Sequence, residues 1–232
     1  MGDRVAANYL KAFLQRNQVR SFSKGEIIVF QGEAPQHAYV VKSGTVKAYN
    51  LSVNGDEKPV GFYQEGSVFP ASWVYGKMPS AIYYYEAFTP EVEVYLLEKD
   101  KYVNFIRKST ELLYQELDRL LADQMGGTLR LNALQHSRAS DKLAYTLHYL
   151  GLTHGKVHTN GDIEITLDLT HQDFANLTGL TRETAATELN KLKKRGIISY
   201  GKHKPYMLNL NKLLNLVNDQ FMGEIKSTSL QL

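Results

Sequence analysis

Glycine and proline are spread so unevenly along this chain that its first and middle parts cannot share one kind of secondary structure. Seven glycines fall between residues 25 and 76 and five of the six prolines lie before residue 91, whereas 99–152 holds no proline. Glycine supplies positive φ and proline fixes φ while removing an N–H, so dense punctuation leaves room only for short segments. The segments between are alternating, β-branched or aromatic: Ile27–Phe30, Ala38–Val41, Thr45–Leu51, Lys58–Tyr63, Tyr83–Thr89 and Val92–Leu97. In the last of these Val92, Val94 and Leu96 alternate with Glu93 and Tyr95, the pattern of a half-buried antiparallel strand. Asn54-Gly55 between two such runs predicts a hairpin turn. Many short strands at close spacing imply a sandwich, jelly roll or barrel to about residue 98, led by a short helix near 5–17.

From residue 99 the apolar spacing becomes helical. Leu113, Leu117, Leu120, Leu121, Gln124, Thr128, Leu131 and Leu134 trace one narrow stripe along a helix expected over 111–136. A helix that long with a stripe that narrow suits packing against a copy of itself. Gly126-Gly127 lowers helix propensity by about 1 kcal/mol per residue relative to alanine, and marks either close approach to a partner helix or a weak point. A further helix is expected over Asp141–Gly151.

Charge separates the C-terminal part from the rest. Residues 1–137 carry 15 basic and 15 acidic side chains, so the net +3 of the chain resides in 138–232. Within 182–204 seven basic residues stand against two acidic ones, a local net of +5 that would attract a polyanion. The pattern around them is specific. Thr170, His171, Gln172 and Asp173 form a helix-starting cap, Phe174, Ala175 and Leu177 give an apolar face, and Gly179 stops the helix. Thr181 then caps a second helix, about 182–195, with Ala185, Leu189 and Leu192 inward and Arg182, Glu183, Ala186, Thr187, Asn190 and Lys191 outward. A hairpin of Ile197–Tyr200 and Tyr206–Leu210 follows, its tip carrying Lys202 and Lys204. Two helices joined by a glycine-containing turn and followed by a basic hairpin make a winged helix-turn-helix. Its second helix is the one that meets base edges in the major groove. Arginine bonds bidentately to guanine and glutamate accepts from cytosine, while lysines suit phosphates. The expected DNA-binding residues are Thr170, His171, Gln172, Thr181, Arg182, Glu183, Thr184, Thr187, Lys191, Lys202 and Lys204.

With these elements the chain resembles the Crp/Fnr family of bacterial transcription regulators. The resemblance rests on Lys24-Gly25-Glu26, the run Phe30–Glu33, the run Tyr39–Gly44, the Gly66–Phe69 turn, Leu180–Thr184 and Gly196–Ile198, and covers about residues 20–215. It implies an α+β chain. An antiparallel β jelly roll of the cyclic-nucleotide-binding type, with an effector role, spans 1–110. A dimerisation helix covers 111–137, and a winged helix-turn-helix domain covers 138–232. The partners it implies are a double-stranded DNA operator, a second copy of the chain and RNA polymerase. It also places Arg182 and Glu183 where relatives contact a G·C pair, and puts Thr187 where many relatives carry a further arginine.

The effector does not follow from the resemblance. Cyclic-AMP-binding relatives use a Gly-Glu pair and an arginine followed by Ser or Thr, where this chain has Pro70-Ala71 and no arginine; Lys77 is the one basic residue between 62 and 98. Phosphate recognition in a buried site needs such a cation and free N–H groups, so cyclic AMP is not expected as a cofactor and the effector is unknown. An apolar pocket around Phe69, Pro70, Ala71, Trp73, Tyr83, Tyr84 and Tyr85 is the alternative to plain core packing by these residues.

Other function classes lack their chemistry. Without cysteine the chain has no disulfide, thiol nucleophile or thiolate-held cluster. A metal-dependent cupin-like enzyme needs converging histidines, and the β region has His37 alone; His154 and His158 flank Gly155 with no third ligand. Neither a HExxH nor a Gly-x-Ser-x-Gly pattern occurs, so no catalytic residue is assigned. No apolar run is long enough to span a membrane and the start lacks the apolar segment of a signal peptide, which points to the cytoplasm. An RNA-binding or structural protein remains the other alternative.

Overall fold

The computed structural model describes residues 10–201 and 204–217, and it separates into two compact units, Met1–Leu117 and Asp118–Leu232. In the first, after a helical turn α1 over 10–14, eight strands form two antiparallel sheets. One orders β1 (Gln18–Ser23), β8 (Glu91–Leu97), β3 (Ala38–Ser43) and β6 (Val68–Phe69); the other orders β2 (Ile27–Val29), β7 (Tyr84–Ala87), β4 (Val46–Leu51) and β5 (Glu57–Tyr63). Their facing residues make one core, with Phe22, Tyr39, Val41, Phe69, Val92 and Val94 from the first sheet and Val29, Val46, Ala48, Tyr85 and Ala87 from the second. This is the jelly-roll arrangement.

The first sheet is covered on its other face as well. Ala38, Val40, Val68 and Leu97 pack with Leu14, with Val74 of α2 (Ala71–Val74), with Tyr102 and Ile106 of α3 (Lys99–Arg107), and with Leu112. That explains why β3 opens as a continuous apolar run, Ala38 to Val41, where a half-exposed strand would alternate. β4 keeps the alternation: Val46 and Ala48 face the core, while Lys47 turns away to Glu57 at 2.6 Å and Glu86 at 3.1 Å.

The expected strands are all present, with ends shifted by at most two residues. Two strands of the first unit were not anticipated, β1 and β6. The first helix stops at 14 because Gln18 already pairs with Leu96. The proline-free stretch divides into α3, α4 (Thr110–Gln135) and α5 (Ala139–His154), the last being longer than the expected Asp141–Gly151.

The helix α4 runs unbroken through Gly126-Gly127. A Cβ on Gly126 would lie 3.2 Å from Thr153 Cγ2 and 3.5 Å from the Tyr149 ring, so this glycine lets α4 approach α5 of the same chain. In the second unit the side of α4 turned to its own chain carries Gly126, Leu129 and Ala133, and in the first Leu112 and Glu116 are buried. The leucine stripe is on another side and is left in the open: Leu113 is 44%, Leu117 49%, Leu121 48% and Leu131 58% exposed.

The second unit packs α5 against α6 (His171–Thr178), α7 (Arg182–Lys194) and α8 (Leu210–Val217). Its sheet orders β11 (Ile198–Gly201), β12 (Lys204–Leu208), β10 (Ile163–Ile165) and β9 (Gly155–Val157). The returning wing strand, expected over Tyr206–Leu210, ends at Leu208, because Leu210 already opens α8 and the α8 amide of Leu213 bonds Asn209 O.

Candidate nucleic-acid interface

Each helix of the hairpin is started and stopped by the residues that the sequence singles out. At the start of α6 the Thr170 hydroxyl accepts from Asp173 N–H at 3.2 Å, and Asp173 Oδ2 accepts from Thr170 N–H at 2.8 Å. Such a reciprocal cap contributes about 1 kcal/mol. Gly179 ends the helix in the left-handed region at φ +68°, where a side chain would be strained. Two residues later Thr181 caps α7, accepting from Thr184 N–H at 3.2 Å. Phe174 and Ala175 of α6 and Ala185, Leu189 and Leu192 of α7 are buried, which fixes the crossing of the two helices.

That packing leaves one face of α7 in solvent. Arg182, Glu183, Thr187, Asn190 and Lys191 are all exposed along it. Thr184 is half-buried, its hydroxyl 3.0 Å from that of Thr181. Gln172 is exposed at the start of α6 with its amide on Asn176. His171 stands beside it, close enough to α7 that burial, and then the Arg182 guanidinium, lower its pKa below the usual histidine value. His171 at one helix start is thus brought beside Arg182 at the start of the next. Lys202 lies outside the described residues, and Lys204 is described only through its backbone, which begins β12.

The basic patch is less uniform than its composition. Lys191 is 2.6 Å from Glu188, and Lys193 Nζ donates to Tyr200 O at 2.8 Å while lying 4.4 Å from the centre of the Tyr200 ring. Arg182, Lys194 and Arg195 have no acidic partner among the described residues. Tyr200 is the residue that reading the sequence passed over. It stacks on Tyr206 at 4.6 Å, meets the His171 ring edge-on at 5.7 Å, and donates its hydroxyl to Asn190 Oδ1 at 3.0 Å. Period-two alternation from buried Ile198 was the available signal, since it puts Tyr200 on the helix-facing side of β11.

The apolar residues of the jelly roll divide three ways. Phe69, Tyr83 and Tyr85 come together in the core between the sheets, where Phe69 stacks on Tyr85 at 5.1 Å and on Tyr39 at 5.3 Å. Ala71 and Trp73, which follow buried Pro70, pack instead with the helices on the outer face, where Lys99 lies over the Trp73 ring. Tyr84 points away from the core and stacks on Tyr49 at 5.4 Å. These residues do not share one surface. His154 closes α5 and is buried, and His158 bonds Glu164 at 2.7 Å; among the described residues no cluster of possible metal ligands is present.

Comparison with known proteins agrees in both units. The sequence model of the cyclic nucleotide-binding domain matches residues 19–109, and that of the Crp-like helix-turn-helix domain matches 141–216. The global nitrogen regulator of Synechococcus elongatus is 27% identical over 193 residues, covering 83% of this chain and 86% of that protein. The cyclic AMP receptor protein of Thermus thermophilus is 26% identical over 187 residues, covering 79% and 81%. Among solved structures, FixK2 from Bradyrhizobium japonicum has the same fold, with a TM-score of 0.70 at 21% identity over 86% of this chain and 96% of that one.

Proposed function

From the premise that the chain belongs to the Crp/Fnr family of transcriptional regulators, we propose that it binds a two-fold symmetric DNA operator as a homodimer paired through α4. The observation that carries this reading is the pairing of two features. One is the solvent-facing polar side of α7, and the other is the bare leucine stripe of α4. A two-fold operator presents half-sites about 34 Å apart, so two recognition helices must be held together. Contact with RNA polymerase in the cytoplasm, and the absence of any catalytic activity, are part of the same reading by analogy with regulatory relatives; no described helix is long and apolar enough to cross a membrane.

In this reading Arg182 and Glu183 meet a G·C pair, Thr187 makes a shorter contact than an arginine would, and Thr170, His171, Gln172, Thr181, Thr184 and Lys191 line the approach. Lys202 and Lys204 act on phosphates. Replacing Arg182 with alanine is expected to cost about 1–3 kcal/mol and to relax preference at one base pair, whereas removing Lys202 weakens all duplexes alike and lowers the salt slope by about one. Fluorescence anisotropy on a panel of single-base operator variants separates the two. The same uniform loss for both variants would contradict the division of roles.

Cyclic AMP is not the effector in this proposal. Pro70-Ala71 carries no carboxylate for a ribose, Lys77 is exposed, and the aromatic rings of Phe69, Tyr83 and Tyr85 fill the region with no cation among them. Millimolar cyclic AMP is expected to leave operator affinity unchanged on protein freed of carried-over ligand, and the unliganded dimer to bind measurably. Control then falls to a non-nucleotide effector in the β domain, or the protein binds constitutively. A tenfold gain with cyclic AMP, about 1.4 kcal/mol of coupling, would contradict this.

A further inference from the structure

The contact between wing and recognition helix does more than brace the domain. Tyr200 is fixed from several sides: Tyr206 stacks on its ring at 4.6 Å, Lys193 Nζ sits over the ring at 4.4 Å and holds its carbonyl, and His171 meets its edge. Its hydroxyl donates to Asn190 Oδ1 at 3.0 Å. An asparagine amide has one accepting end and one donating end. With the accepting end taken by Tyr200, the exposed Asn190 presents Nδ2, which has no partner among the described residues. The side chain is thereby held in one orientation, with both Nδ2 hydrogens free to donate.

We propose that Asn190 is a further DNA-contacting residue, positioned by Tyr200, whose amide donates a hydrogen bond to a backbone phosphate without adding charge. This rests on the helix-turn-helix docking proposed above. Arg182 and Glu183 occupy the first turn of α7, the part of a recognition helix that meets base edges. Asn190 lies eight residues further on, about 12 Å along the axis, where a helix leaves the groove and passes the sugar-phosphate wall. Phosphate oxygens only accept, which matches the free Nδ2 hydrogens, and neutral side chains are ordinary phosphate ligands. Lys194, one turn beyond on the same helix, is exposed and supplies the positive surroundings that a phosphate favours. Tyr200 itself is a positioning residue, since it acts through Asn190.

The charge neutrality of the contact gives it a signature. Lysine and arginine contacts release counterions and set the salt slope of binding; an amide contact contributes affinity without doing so. The test uses the full chain and a duplex of about 30 base pairs enriched from a randomised pool by the unsubstituted protein. Affinities are measured across a salt series for Asn190→Ala, Tyr200→Phe and the double variant, with Arg182→Ala for reference. Thermal melting of each variant checks its fold.

Asn190→Ala is expected to weaken every duplex roughly tenfold, in the range of a hydrogen bond to a charged group, with salt slope and base preference unchanged. Tyr200→Phe keeps the ring and its stacking and should give a smaller loss of the same kind, and the double variant should be no weaker than Asn190→Ala. Unchanged affinity for Asn190→Ala, a changed preference at one base pair, or a slope altered by about one would each overturn the phosphate contact. Full additivity of the two losses would overturn the positioning by Tyr200. An unsubstituted protein that binds no duplex would instead overturn the regulator reading on which the inference stands.

Discussion

A chain carrying Leu117→Glu and Leu121→Glu is expected to fold, to sediment at half the mass of the unsubstituted protein, and to bind the operator at least about 100-fold more weakly. Both leucines are nearly half exposed in the isolated chain, so charge there costs the single chain little. Spaced four apart, they lie on one side of α4. In a self-paired helix each would bury apolar surface worth roughly 2 kcal/mol, and the double substitution would force four carboxylates into that seam, each with a desolvation cost of several kcal/mol. The loss of DNA affinity follows from the loss of the second half-site. Light scattering at micromolar concentration and anisotropy titration read the two consequences. A variant that remains dimeric places the interface elsewhere; one that becomes monomeric yet binds the operator as before removes the need for a dimer.

Acidification is expected to destabilise the second unit between about pH 6.5 and pH 4. His154, the last residue of α5, is buried, and burial pushes its pKa down to about 4. Unfolded, the same imidazole titrates near about 6.5. Above that value both states are neutral and the group contributes no pH dependence. Between the two values the unfolded chain binds a proton that the folded domain refuses, so stability rises with pH across the window and falls on acidification. The full loss, reached below pH 4, is about 3 kcal/mol, of which about 2 kcal/mol is gone by pH 5. Denaturant melts followed through α5–α8 at pH 7, 6 and 5 measure this, with His154→Leu as the reference that lacks the titration. Equal pH slopes for the two proteins would show that His154 is not the origin.

The parts of the fold legible in the sequence were those where local chemistry and long-range packing agree. Thr170, Gly179 and Thr181 act on their own neighbours, so the ends of α6 and α7 could be read directly. The period of Val92, Val94 and Leu96 was visible because one face of β8 turns to the core. β1 escaped notice because Gln18 to Ser23 carries one buried residue, Phe22, and is held as a strand by its ladder to β8, a partner some 70 residues away. Gly126-Gly127 could not be interpreted for a related reason: what makes Gly126 useful is the Thr153 methyl lying against it. The tyrosines at 83–85 looked like a set because they adjoin in sequence. Strand alternation sends Tyr84 to the opposite face from Tyr83 and Tyr85. The inward and outward faces of α7 could be read from its spacing, but the Tyr200–Asn190 bond joins two elements and has no local pattern.

The central claim, a sequence-specific regulator acting as a symmetric pair, is tested most directly by enrichment of DNA from a randomised pool with the full-length protein, followed by sequencing. The expected result is one motif made of two inverted half-sites, their centres about one helical turn apart, with a G·C pair in each that Arg182→Ala no longer selects. Enrichment of a single unrepeated half-site would contradict the paired geometry, and no enrichment over the starting pool would contradict sequence-specific DNA binding.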